Sequence, residues 1–130
     1  MLQKPVISIV DDNRSVREGT RDLIEAMSFV AETFQRAEDF LNSDILHSTS
    51  CLIVDVQLPG MSGLQLHSHL VSSGKVIPTI LITAFPSEKD RARAVQAGVV
   101  CYLVKPLNDS ELPACIELAL DRKPDMHALD

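Results

Sequence analysis

The sequence predicts an α/β domain: a doubly wound, five-stranded parallel sheet with helices on both faces. Three observations lead there. Short apolar runs alternate with helical patterns five times along the chain. Several runs are nearly continuous Val, Ile and Leu, as strands covered on both faces must be. The 130 residues suit one domain and are too few for two ordinary ones. Strands that succeed one another through helices lie parallel, with right-handed crossovers.

The runs are Val6 to Val10, Phe29 to Phe34, Cys51 to Val56, Thr79 to Thr83 and Val99 to Val104. The second contains Glu32 and reads as an edge strand. After the first run, Val16, Thr20, Leu23, Ile24 and Met27 recur at helical spacing, with Arg17, Glu18, Arg21 and Glu25 mostly opposite. Leu64 to Ser72 and Ser87 to Ala97 read similarly, and Gly98 sits where a helix C-cap belongs. A last helix is expected to begin near Asn108, Asp109 and Ser110, which are good capping residues. Pro113 then falls in its first turn or costs one backbone bond. The stretch after Arg122 has no periodicity. The domain is therefore expected over residues 1–122, with 123–130 a tail or the start of a linker.

A formal net charge of -6 and a pI near 5.1 argue against the domain itself gripping a phosphate backbone. No apolar run approaches the ~20 residues of a membrane span, and no long apolar leader precedes the first strand. A cytoplasmic protein without membrane contact is expected. Cys51, Cys101 and Cys115 are odd in number, lie in apolar stretches and form no C-x-x-C pair, so they read as buried, reduced thiols. His67 and His69 lie two apart on a helix and point to different faces, while His47 and His127 have no obvious partner.

The informative polar residues stand at strand ends. Asp11 and Asp12 end the first strand, Asp55 lies at the end of the third, Thr83 ends the fourth and Lys105 the fifth. Sites in open α/β sheets form outside the carboxyl ends of the strands, at the switch in strand order. With the order 2-1-3-4-5 all five would meet in one crevice. Their types suit phosphoryl transfer to a carboxylate, which faces charge repulsion and needs a bridging cation. Asp11, Asp12 and Asp55 offer carboxylates to Mg2+, Lys105 a cation for the phosphoryl oxygens, and Thr83 a hydroxyl donor. Asp55 would be the nucleophile. Taken singly, an Asp pair before a helix is ordinarily its N-cap, Thr83 a β-branched strand residue and Lys105 a solvated lysine. Asp55 in an apolar run is harder to dismiss, because an unpaired carboxylate there is costly.

Val10-Asp11-Asp12-Asn13, Leu52 through Gly63, Ile82-Thr83-Ala84 and Tyr102-Leu103-Val104-Lys105-Pro106 resemble the receiver domains of two-component response regulators. The resemblance spans residues 5 to about 122. Ser15 to Gly19, Arg36 to Leu41 and Leu58 to Gly63 look most like the FixJ type. It implies a flavodoxin-like (CheY-like) fold and a switch rather than an enzyme with its own substrate. Asp55 matches the phosphoacceptor, Asp11 and Asp12 the acidic pair at Mg2+, and the backbone carbonyl of Gln57 a further metal contact. Thr83 and Lys105 match the switch hydroxyl and the phosphoryl-pairing lysine, and Tyr102 the aromatic switch. Lys105-Pro106 is expected cis, Ala84 leaves room for the phosphodonor, and Gln57 and Phe85 match positions that govern water access.

The same resemblance implies a sensor histidine kinase as partner and a phosphorylation-dependent homodimer through the face around Ser87 to Gln96, Val99 to Val104 and the last helix. DNA is expected only through an output domain absent from these residues. The alternatives are a stand-alone receiver and a phosphate-independent adaptor. A dehalogenase-like phosphatase fits poorly: it wants its nucleophile on the first strand with a second Asp two residues on, whereas Asp11-Asp12 are adjacent and followed by Asn13.

Overall fold

The computed structural model describes residues 4–108 and 110–121. Along the chain run β1 (Val6–Val10), α1 (Arg14–Ala26), β2 (Val30–Phe34), α2 (Ala37–Leu41) and a 3-10 helix (Asp44–Ser48). There follow β3 (Thr49–Asp55), α3 (Gly63–Ser72), β4 (Thr79–Thr83), α4 (Glu88–Ala97), β5 (Cys101–Val104) and α5 (Glu111–Asp121). All strand pairs are parallel and the order is β2-β1-β3-β4-β5, the arrangement expected from sequence. The Glu32-bearing strand β2 is one edge.

Strand alternation divides the core in two. Ile7, Ile9, Cys51, Ile53, Ile80, Ile82 and Leu103 face one layer, closed by Ile24 of α1 and by Leu112, Cys115, Ile116 and Ala119 of α5. Val10, Leu52, Val54 and Leu81 face the other, closed by Phe40 of α2, Leu66 and Leu70 of α3, and Ala94 of α4.

Boundaries differ from the apolar runs where hydrogen bonds intervene. Phe29 still serves α1, its N–H bonding the Ile24 carbonyl, and Ser28 turns the chain with φ 69° before β2 begins. Val99 likewise donates to the Ala94 carbonyl, past the left-handed Gly98 cap (φ 85°), so β5 begins at Cys101. The 3-10 helix leads into a β3 two residues longer at its start than its apolar run, and Thr49 pairs its hydroxyl with Ser8 at 2.7 Å. Asn108 Oδ1 accepts the N–H groups of Ser110 and Glu111, and Pro113 falls in the first turn of α5, where a helical N–H has no partner anyway. Asp109 and the expected tail at 123–130 lie outside the described residues.

One expectation is corrected. Cys101 and Cys115 are paired as a disulfide, rather than standing as separate reduced thiols. Packing of α5 on β5 sets their Cα atoms 6.2 Å apart, inside the range a disulfide spans. Nothing in a separation of 14 residues reveals this without the tertiary contact. Cys51 is free and buried, and burial pushes its thiol up to about 12.

Candidate functional site

The order β1-β3-β4-β5 makes four strand ends neighbours, and those ends carry the polar residues. Asp11 follows β1, Asp55 and Thr83 close β3 and β4, and Lys105 follows β5. Asp11, Asp55 and Thr83 are buried, Lys105 is half-buried, and Asp12, Gln57 and Ala84 are exposed.

Each central carboxylate uses one oxygen to shape its own loop and turns the other inward. Asp11 Oδ1 accepts the Asn13 N–H at 2.9 Å, and Asp55 Oδ1 accepts the Gln57 N–H at 2.9 Å. Lys105 Nζ lies 2.7 Å from Asp55 Oδ2 and 3.0 Å from Asp11 Oδ2. The first contact is a hydrogen bond; the second is a charge contact only, because Asp11 Oδ2 is buried and has no aligned donor among the described residues. Carboxylate oxygens of Asp11, Asp12 and Asp55 all fall within 4.8 Å of one another. Three acids and one buried oxygen lacking a donor are a set that suits a hard divalent cation.

Burial raises the Asp55 pKa above the ordinary carboxylate value, against the opposing pull of the Lys105 hydrogen bond and the Gln57 N–H; the Asp11 charge adds to the rise. Burial alone would lower Lys105, but its hydrogen bond to Asp55 and its close contact with the Asp11 carboxylate outweigh it and its pKa is raised. Lys105 is therefore a firm cation between two acids.

The loop after Asp55 is held from two sides. Gly63 opens α3 directly against the Asp55 backbone, where a Cβ would overlap the Asp55 carbonyl, so only glycine fits. Ser62 caps the helix through a reciprocal box with Gln65. Glu38 reaches from α2 to accept the Met61 N–H at 3.2 Å, and its Oε1 is buried with no partner among the described residues.

Toward β5 the contacts change character. The Thr83 hydroxyl donates to Gln57 Oε1 at 2.6 Å and accepts the Phe85 N–H at 3.0 Å. Tyr102 faces the α4 layer, its hydroxyl accepting the Ser87 N–H at 3.3 Å, with the Arg91 guanidinium 4.7 Å from its ring centroid. The Lys105-Pro106 peptide is cis.

Thus the structure brings Asp11, Asp12, Asp55 and Lys105 together, joins Thr83 to them through Gln57, and sets Tyr102 apart on the α4 side. Sequence reasoning missed Glu38 and Arg91. A contact across 23 positions has no local signature, whereas Arg91 lies on a helix already assigned to the Tyr102 neighbourhood.

A family profile described as response regulator receiver domain matches residues 7–117. TdiR, a transcriptional regulatory protein of Thauera aromatica, is 33% identical over 92% of this chain and 53% of its own length. The response regulator TodT of Pseudomonas putida is 34% identical over 95% of this chain and 54% of its own. The chain thus spans about half the length of such relatives. Among solved structures, the response regulator StyR superposes with a TM-score of 0.87 at 35% identity, covering 98% of this chain and 64% of that one. FixJ-N superposes at 0.82 with 29% identity, covering 94% and 98%. With the profile matched from the first strand into the last helix, the chain belongs to the receiver domain family of two-component response regulators.

Proposed function

We propose that the domain is a phosphorylation switch: Asp55 takes a phosphoryl group from a sensor histidine kinase, with Mg2+, and the change alters a partner-binding face. The observation that carries this is the buried Asp55 Oδ2, held 2.7 Å from Lys105 inside a cluster of three carboxylates. In the transfer, the phosphorus–nitrogen bond of the donor breaks as a phosphorus–oxygen bond to Asp55 forms. Lys105 pairs with phosphoryl oxygens. Asp11, Asp12, Asp55 and the Gln57 carbonyl would hold Mg2+, which offsets the repulsion between nucleophile and phosphoryl group. The exposed Ala84 leaves the approach open, and Thr83 donates to the new phosphoryl group.

The response is a population shift of the α4–β5 region, read by partners or by a second copy across α4, β5 and α5. Exposed Val95, Val104 and Leu118 lie on these elements and suit such a contact. In the cytoplasm, the domain would act as the regulatory part of a transcriptional regulator, and DNA would be reached through an output domain.

Intact-protein mass after incubation with acetyl phosphate and Mg2+ tests the chemistry. A phosphoryl adduct is expected in the wild type, lost on chelation and absent from Asp55→Asn. No adduct under conditions that label a control receiver overturns the reading in favour of a phosphate-independent adaptor.

A further inference from the structure

We infer that Cys101 and Cys115 form a reversible thiol–disulfide site that reacts with low-molecular-weight disulfides and dithiols and fastens α5 to β5. The two residues lie on different elements, and the fold alone brings their Cα atoms to 6.2 Å. The 14-residue separation encloses Tyr102, Lys105 and Pro106. Forming the bond therefore closes a loop around the strand end that carries the site lysine and the tyrosine facing α4.

Accessibility sets the order of events. Cys101 is half-buried at the sheet edge, whereas Cys115 is buried, with 8% of its surface exposed. A small disulfide thus meets Cys101 first. The Cys101 thiolate attacks one sulfur of the reagent, a mixed disulfide forms, and one reagent thiolate leaves. The Cys115 thiolate then attacks the Cys101 sulfur and expels the second. Two cysteine thiols lose two electrons and two protons, and the reagent disulfide becomes two thiols. Cys51 takes no part: it is fully buried, and its raised pKa leaves almost no thiolate. It serves as an internal control.

Closing the loop restricts the separation of α5 from β5, so the oxidised domain opens less readily there. Reduction removes that restriction without touching the carboxylates. The site is independent of the phosphorylation reading, since the cysteines belong to the apolar layer under α5 and are not members of the Asp11, Asp12, Asp55 and Lys105 cluster.

The test is alkylation with iodoacetamide under denaturing conditions, read by intact mass. The chain is first equilibrated with excess glutathione disulfide or with dithiothreitol while folded. The oxidised wild type is expected to carry one alkyl group and no glutathione, the reduced protein three; Cys101→Ala and Cys115→Ala should each take up glutathione or alkyl at the remaining partner. Three alkyl groups, or a stable glutathione adduct, in the oxidised wild type would overturn the site. A bond that folded protein keeps in dithiothreitol would overturn its reversibility. Amide hydrogen exchange in α5 reads the fastening, with exchange about tenfold slower or more in the oxidised form; equal rates in both forms would refute it. Because the two alanine variants cannot form the bond, their α5 exchange should not respond to glutathione disulfide.

Discussion

The two faces of the sheet are built to different standards. On one, α5 buries Leu112, Cys115, Ile116 and Ala119, and α1 adds Ile24 with Val16, Leu23 and Met27 packed around it. On the other, α2 has only five residues, the 3-10 helix buries none, and α4 buries Ala94 alone among its residues. A helix held by one methyl group has little apolar surface to lose on moving, so α4 belongs to the low-stability end of the molecule. The same helix carries Arg91 against Tyr102 and begins at Ser87, which donates to that tyrosine's hydroxyl. The weakly packed helix is thus the one wired to Tyr102.

Ile116→Ala should cost most, about 2 to 5 kcal/mol, as a large side chain leaves a cavity in the α1–α5 layer. Urea denaturation checks it, and a loss no greater than that of any α4 substitution would erase the contrast. On the other face, α3 adds a second weakness, because His67 is buried and its Nδ1 has no hydrogen-bond partner among the described residues. Burial lowers its pKa from 6.5. Stability from the neutral imidazole is therefore complete above pH 6.5 and lost as pH falls below it. His67→Leu should flatten the thermal stability profile below that pH, and an unchanged slope would remove His67 from the comparison.

Ser87→Ala removes the α4 cap, in which Ser87 Oγ accepts the Asp90 N–H at 3.0 Å. About 1 kcal/mol is expected, appearing in α4 amide exchange more than in global unfolding, since α4 can open by itself. Smallest is Arg91→Ala, about 0.5 to 1 kcal/mol for an exposed cation over a ring. Tyr102 is the lone tyrosine in a chain without tryptophan, so its fluorescence reports that loss directly.

How far this was legible depended on the range of each interaction. The β4 run Thr79 to Thr83 is a continuous β-branched and aliphatic stretch buried at every position, and its bounds agree with the sequence reading. Asp11, Asp55, Thr83 and Lys105 were legible as strand-end residues because the parallel sheet puts all such ends on one edge. The 3-10 helix Asp44–Ser48 was not, since five residues without a buried side chain leave no periodicity. The disulfide and the reach of Glu38 to Met61 were not legible either, because both need the helices already docked. The pairing of Gln57 with Thr83 belongs with them: the two positions were singled out separately, and only the geometry shows that they share a hydrogen bond.

That bond has an arithmetic of its own. A threonine hydroxyl carries a single proton, and here Gln57 receives it while the Phe85 N–H fills a lone pair. Thr83 can give its proton to one acceptor at a time, so any newcomer beside Asp55 that claims it must evict the amide. The choice is exclusive at the level of one atom. Binary behaviour can therefore begin at this oxygen before any helix has moved.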